Sequence, residues 1–257
     1  MTEIKSGRKA SDVKLFIAIL ALDSKIFCST VTSLLDAFTT TVNAGIIHFP
    51  RVMFLMQDGN IPFARNRAVA QFMQTDCTDL IFIDSDISWD RESFMRLICH
   101  PVDVVGATYR KKIQDLETGA LVEQYAIDNL SDENDMVKGS DPETGLLEVN
   151  GLPTGFLRIT RNAIQKMINE CDVQEYEIDE HGKPLTLHRL FSFDYVKERG
   201  EVSEDYRFCH RWREIGGKVW LDPWASVDHM GVVKFQGNFG KRLMGAIEEA
   251  KMLEAAE

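Results

Sequence analysis

Leu15 to Leu20, LFIAIL, is apolar at every position and rich in branched side chains. A strand with one wet face alternates, so an unbroken run of this kind reads as a strand covered on both faces, as in a parallel sheet between two helical layers. The pattern recurs. RVMFLM (51–56), LIFID (80–84) and VDVVGATY (102–109) read as further strands. Between them, Thr30 to Asn43 places Val31, Leu34, Leu35 and Phe38 at helical spacing. IPFARNRAVAQFMQ (61–74) has a proline suited to a helix start and sets Phe63, Ala70, Phe72 and Met73 in an amphipathic register. A short helix is expected from Asp90 to Cys99. This alternation predicts an α/β fold with a Rossmann-like, doubly wound, mostly parallel central sheet, whose ligands bind beyond the carboxyl ends of its strands.

After residue 110 the chain changes character. Residues 110–150 are polar and punctuated by Gly119, Gly139, Pro142 and Gly145, which predicts loops with a small hairpin. Residues 128–148 are acidic: Asp128, Asp132, Glu133, Asp135, Asp141, Glu143 and Glu148 stand against Lys138 alone. Regular structure resumes with GLPTGFLRIT (151–160), a helix over Arg161–Glu170 and a turn at His181-Gly182. LFSFDYV (190–196) reads as a strand, SEDYRFCHRWREIG as a helix ending at Gly216-Gly217, KVWLDP as a strand and Lys241–Glu257 as a helix. No internal repeat or clean boundary divides residues 1–257, so one domain with an acidic insertion is expected.

Composition narrows the class. A chain of 257 residues that is 44% hydrophobic and 27% charged can bury a sizeable core and does not have the make-up of a disordered one. The longest apolar run, Leu15–Leu22, is eight residues, against roughly 20 for a membrane span. The opening MTEIKSGRKASD is polar, without the apolar core of a signal peptide, and predicts a cytoplasmic protein. Cys28, Cys77, Cys99, Cys171 and Cys209 are scattered, with no CxxC pair, which argues against a disulfide framework or a zinc knuckle. A net charge of −11 repels nucleic acid from the surface as a whole, leaving only local basic patches to attract it.

Asp84-Ser85-Asp86 follows LIFI directly. Two carboxylates at the end of a buried strand deliver hard oxygen ligands to the mouth of the sheet, where a divalent cation and phosphates would sit. An Asp pair also caps helices, so the motif alone leaves both readings open. Its company adds weight. The order ARNR (64–67), DSD, VVGATYRKK (104–112), LPTGF (152–156), SEDYRF (203–208) and VWLDPWASVDHMG (219–231) resembles glycosyltransferases of the GT-A fold, of a family-two-like viral or bacterial type. The resemblance covers residues 14–231, and the ordered set is much more specific than any one motif.

The resemblance implies a metal-dependent enzyme that moves a sugar from a nucleotide-diphosphate sugar to an acceptor hydroxyl. Residues 14–110 would form the nucleotide-binding half, residues 111–231 the half that meets the acceptor and completes the metal site. It implies Mn²⁺ or Mg²⁺ held by Asp84, Asp86 and His229, with Asp86 the direct ligand. Imidazole beside carboxylates favours Mn²⁺ over Ca²⁺. Asp228 is a candidate to orient the imidazole. Arg65, Asn66 and Arg67, with Asp84 and Ser85, would face the donor. Of the two arginines Arg65 is preferred, because one planar guanidinium grips two phosphate oxygens. Thr154 and Gly155 would border the sugar.

Glu204 and Asp205 match an acidic pair that includes a catalytic base, with Asp205 the choice; Ser203-Glu-Asp-Tyr also reads as a capping box. Trp220 and Trp224 read either as stacking surfaces or as core. Tyr109-Arg-Lys-Lys112 leaves the sheet on the side of Asp84 and would touch phosphates or acceptor, unless it is simply a solvated loop. Together with Arg207, His210, Arg211 and Arg213 it leaves DNA open as an acceptor, including hydroxymethylated bases. A nucleotidyltransferase would share the sheet and the metal, but the glycine-rich basic signature expected after the first strand is absent from LALDSKIFCST. A non-catalytic nucleotide-sugar-binding protein is the remaining alternative.

Overall fold

The computed structural model describes residues 8–43, 45, 48–56, 59–115, 117–128, 137–197, 200–231 and 233–254. In chain order the first half contains β1 (Leu15–Ala21), α1 (Cys28–Asn43), β2 (Arg51–Met56), α2 (Ile61–Met73), β3 (Asp79–Asp84), β4 (Ile87–Trp89), α3 (Arg91–Cys99) and β5 (Val104–Gly106). Next come β6 (Val137–Ser140), β7 (Leu147–Val149), β8 (Phe156–Thr160), α4 (Arg161–Glu170), β9 (Glu175–Asp179) and β10 (Pro184–His188). The chain ends with β11 (Asp194–Val196), β12 (Gly200–Val202), α5 (Glu204–Glu214), β13 (Val219–Leu221), β14 (Val227–Met230), β15 (Lys234–Phe235) and α6 (Phe239–Glu254).

Eight strands form one mixed sheet in the order β2-β1-β3-β8-β5-β13-β7-β6. Six point the same way; β7 and β8 run against their neighbours. Both faces are covered, as the apolar runs predict. Phe16, Ala18 and Leu20 of β1 join Leu80 and Phe82 of β3 in a core with Ala68 and Phe72 of α2, Ile164 of α4 and Phe208 of α5. The alternate residues Leu15, Ile17, Ile19, Ile81 and Ile83 face the other way, onto Leu34 of α1 and Phe94 and Leu97 of α3. The chain passes from β1 to β2 on one side and then to β3 on the other, so a topological switch point lies where β1 and β3 end, at Ala21 and Asp84.

The opposite end of β3 is tied down by charge. Asp79 and Arg158 of β8 are fully buried and 2.8 Å apart. Arg158 also donates to the carbonyls of His100 at 2.9 Å and Val102 at 2.5 Å, and Arg8 donates to both Asp79 oxygens. Burial works to raise the Asp79 carboxyl, but the two arginines outweigh it and hold it below its ordinary range.

Several boundaries differ from the sequence expectation. Of LFSFDYV only Asp194–Val196 is strand, because the Phe191 backbone is taken up by the Asn66 side chain and the Leu190 carbonyl by Arg211. Residues 175–188, expected only to contain a turn, form the β9–β10 hairpin. His181 and Gly182 supply the two positive φ angles, 56° and 81°, that its tight turn requires. The small hairpin expected in the acidic insertion is β6–β7. Asp132, Glu133 and Asp135 of that insertion lie outside the described residues. No helix of the described residues is long and apolar enough to cross a membrane.

Candidate functional site

Asp84 ends β3 with its backbone N–H donating to the Gly155 carbonyl at 3.1 Å. Its carboxylate lies 3.5 Å from Arg65 and 3.5 Å from the Tyr109 hydroxyl. Arg65, buried on α2, also donates from Nε to Glu204 at 3.2 Å, so one guanidinium is shared by two carboxylates. Burial raises the Asp84 carboxyl above its ordinary value against the pull of Arg65, with Asp86 and Asp205 adding repulsion. Burial likewise raises Glu204 despite Arg65. Tyr109 is pushed well above the ordinary phenol range, first by burial and then by Asp84 and Asp205.

Gly155 is glycine for a steric reason. A Cβ there would fall on the Tyr109 hydroxyl and 2.7 Å from Asp84 Oδ2, so β8 approaches β3 this closely only without a side chain.

Ser85 acts through its backbone, its carbonyl accepting from Phe27 N at 2.9 Å and Thr30 Oγ1 at 3.0 Å. Asp86 then precedes β4, and β4 pairs antiparallel with β14 so that Ile87 faces His229. That small sheet brings together residues 143 positions apart: Asp86 Oδ2 and His229 Nε2 are 3.5 Å apart. His229 Nδ1 is 2.9 Å from the Arg110 carbonyl. A carbonyl only accepts, so Nδ1 carries a proton; the protonated ring donates from Nε2 to Asp86, and loss of that second proton leaves the Nε2 lone pair for a metal. The Tyr109 ring packs edge-on against the imidazole at 4.9 Å between centroids.

Lys112 forms an ion pair with the same Asp86 oxygen. Burial works to raise the Asp86 carboxyl, and hydrogen bonds from His229 and Lys112 overcome it, leaving Asp86 below its ordinary range.

The expected residues therefore divide. Asp84, Asp86, His229, Arg65, Glu204 and Gly155 meet around the ends of β3 and β8. Among the described residues the buried hydroxyl of Thr154, 1% exposed, has no hydrogen-bond partner, and neither has Arg65 Nη1 or Asp84 Oδ1, the latter 3.5 Å from Arg65 Nη2. Asn66 is buried under Phe191, accepting from its N–H at 2.9 Å and donating to its carbonyl at 2.8 Å. Arg67, two positions on along the helix from Arg65, points elsewhere and binds Glu180 at 2.6 Å.

Asp205 accepts from the Ser203 hydroxyl and from the Tyr206 N–H at 2.9 Å. Ser203 is the N-cap of α5 by position, but its hydroxyl makes no capping bond, so the capping-box alternative is not realised. Asp228 does not orient His229; it pairs with Lys234 at 2.6 Å, and the Arg110 carbonyl holds the ring instead. Trp220 packs with the core while Trp224 is exposed.

Tyr109 and Lys112 are the residues that sequence reasoning undervalued. Their signal was the position of VVGATYRKK at the end of a strand on the side of Asp84. The second basic cluster is neutralised in part. Arg207 pairs with Asp194 and Glu214, Arg211 with Asp194, His210 with Asp128, and Arg213 donates to Asn150.

No family model matches the sequence, and no curated protein matches it either. Among solved structures the chain is similar, at 16% identity and a TM-score of 0.47, to A197 from STIV, over 85% of this chain and 86% of that one. It is similar to GalNAc-T7 with UDP, GalNAc and Mn²⁺ at 11% identity and a TM-score of 0.45, over 85% of this chain and 43% of that one. It is similar to S. aureus TarS in complex with UDP-GlcNAc at 15% identity and a TM-score of 0.41, over 81% of this chain and 56% of that one. Identities of 11 to 16% make each a likeness of fold alone.

Proposed function

We propose that this chain is a divalent-metal-dependent glycosyltransferase that moves a sugar from a nucleotide-diphosphate sugar to an acceptor hydroxyl. One observation carries the reading: Asp86 and His229 converge from distant segments at the mouth of the sheet, with the imidazole proton spent on Arg110 so that Nε2 is left to coordinate. Among the described residues no three His, Cys, Asp or Glu side chains gather into a metal cage. Two protein ligands with substrate phosphates completing the shell is the usual arrangement for Mg²⁺ and similar hard cations at nucleotide sites. Asp86 and His229 would hold the ion, with Asp84 behind them. When bound, a divalent cation neutralises charge building on the departing diphosphate.

The chain's own residues supply the rest. Arg65, locked between Asp84 and Glu204 with Nη1 unspent, offers a fixed donor to the donor's phosphates or ribose. Thr154 and the Gly155 backbone border the same space. Ser203 fixes the Asp205 carboxylate, the group to take the proton from the acceptor hydroxyl as it attacks. Glu204, committed to Arg65, positions that arginine. Of the α5 cations Arg207, His210 and Arg211 are paired with carboxylates, which reduces the positive charge offered to a DNA acceptor and favours an uncharged one.

The reading is tested by heating the protein with Mn²⁺ and each member of a nucleotide-sugar panel, because a ligand that binds only the folded state raises the melting temperature with its affinity. One donor stabilising the chain in the presence of Mn²⁺, and slowly hydrolysed, is the expected result. Hydrolysis of none of the donors, with stabilisation by one of them, would favour the binding-protein alternative, and stabilisation by none would remove the proposal.

Lys112 gives a second expectation. Its ammonium neutralises the oxygen that the metal needs, so Lys112→Met should tighten binding of Mn²⁺ added alone by about fivefold, the ~1 kcal/mol of a partly exposed ion pair. Isothermal titration without nucleotide reads this directly. Unchanged or weaker binding would show that Lys112 does not compete with the ion.

A further inference from the structure

We propose that the outward face of the β11–β12 hairpin is an acceptor subsite for a neutral oligosaccharide, with Phe193 and Tyr195 as stacking surfaces and Glu201 as a hydroxyl-binding group. The assignment rests on the transferase reading for its purpose; its location rests on the hairpin alone. Phe193 is 61% and Tyr195 74% exposed. Rings left in water have no packing reason to be held still, yet the residues beside them, Leu190, Phe191, Ser192 and Asp194, are anchored.

Between the two rings Asp194 turns inward and accepts from Arg207 at 2.7 Å, Arg211 at 3.0 Å and Ser192 at 3.0 Å. Arg211 also donates to the Leu190 carbonyl at 2.7 Å, and Phe191 is tied to Asn66, the neighbour of Arg65. Such anchoring removes in advance the ordering cost that a ligand would otherwise meet. In the hairpin register Tyr195 lies opposite Glu201, so the ring and the carboxylate share a face. Asp194 lies opposite Val202, and β12 runs straight into Ser203, Glu204 and Asp205. The platform is therefore continuous with the carboxylate proposed to activate the acceptor.

Its chemistry selects the ligand. The C–H face of a pyranose packs on an aromatic ring, and its hydroxyls donate to a carboxylate, which is what Tyr195 and Glu201 together offer. A polyanion would need several unspent cations; Arg207 and Arg211 beneath the hairpin are paired, and the charge of the exposed Lys197 just after β11 is set against that of Glu201. Glu201 adds negative charge to the surface.

The test is saturation-transfer NMR and titration on the full chain, using chitohexaose, cellohexaose and maltohexaose as neutral probes and a twelve-residue oligothymidylate as the anionic one. The variants are the double substitution Phe193→Ser with Tyr195→Ser and, as a remote control, Phe49→Ser. At least one hexasaccharide is expected to bind wild type and the control alike, and to bind the double variant about tenfold more weakly, as expected for losing two stacking rings. A melting temperature equal to wild type would show the double variant folded. Equal binding by the double variant, no binding by any hexasaccharide, or ring-dependent binding of the oligothymidylate instead would overturn the proposal. Donor stabilisation of wild type with Mn²⁺ is measured separately: its failure with hexasaccharide binding intact would sink the transferase reading and leave the platform standing.

Discussion

Asp86→Asn should lower the proposed metal-dependent sugar transfer by on the order of 10³-fold, because a Lewis-acid cation supplies several kcal/mol of charge stabilisation and each ~1.4 kcal/mol is a factor of ten in rate. The substitution keeps the side chain's shape and removes only its charge. Since Asp86 is partly exposed and the pairs it loses, with Lys112 and His229, lie at the edge of the cleft, the fold should survive with little change in melting temperature. His229→Ala should act in the same direction, and the two together should cost less than the sum of their separate losses if both hold one ion. Asp228→Asn is the contrast. It is adjacent in sequence to His229 but its carboxylate faces Lys234, so its effect should be far smaller. Turnover by Asp86→Asn near the wild-type rate would remove the metal from the mechanism.

Arg158→Met should cost about 3–5 kcal/mol of stability, the usual penalty for stripping one partner from a buried ion pair. Methionine fills most of the volume, so the loss is mainly electrical. Asp79 keeps Arg8 and the Thr78 hydroxyl, and the His100 and Val102 carbonyls lose their donor. At about 2–4 °C per kcal/mol the melting temperature should fall by roughly 6–20 °C.

The pH dependence gives the prediction a sign. Asp79 has a lowered carboxyl in the folded protein, so its pairing stabilises fully above the unfolded value of 3.8 and is lost as pH falls through the lower folded value. In Arg158→Met that carboxyl rises. The deficit relative to wild type should therefore be largest near neutrality and shrink on acidification, where a protonated Asp79 needs less compensation. Urea unfolding of both proteins across pH 3 to 7 measures it, and a deficit independent of pH would mean that packing rather than charge dominates.

The parts of the fold that sequence makes legible are those governed by local pattern. LFIAIL and LIFID are buried on both faces because apolar residues fill both periods, and the helices over 28–43, 61–73 and 161–170 follow from amphipathic spacing. Antiparallel β8, between β3 and β5, carries no such local mark, because pairing direction is decided by partners far away in the chain.

The site shows the same division. Residue types at motif positions pointed to Asp86, His229, Arg65 and the Glu204-Asp205 pair, and these gather at one end of the sheet. Sequence alone does not show which flank of a helix faces the cleft, so Arg67 and Asn66 were grouped with Arg65 although one meets Glu180 and the other Phe191. Backbone acceptors are equally silent: nothing in the letter for Arg110 announces that its carbonyl orients His229.

The three-stranded sheet β15-β14-β4 has a consequence for when this protein becomes competent. Asp86 is synthesised early, between β3 and β4, whereas its imidazole partner arrives only with β14. A ribosome-bound chain can thus complete the first parallel strands and still lack the Asp86–His229 pair on which the proposed site depends. On the proposed reading, competence arrives only with that late pairing.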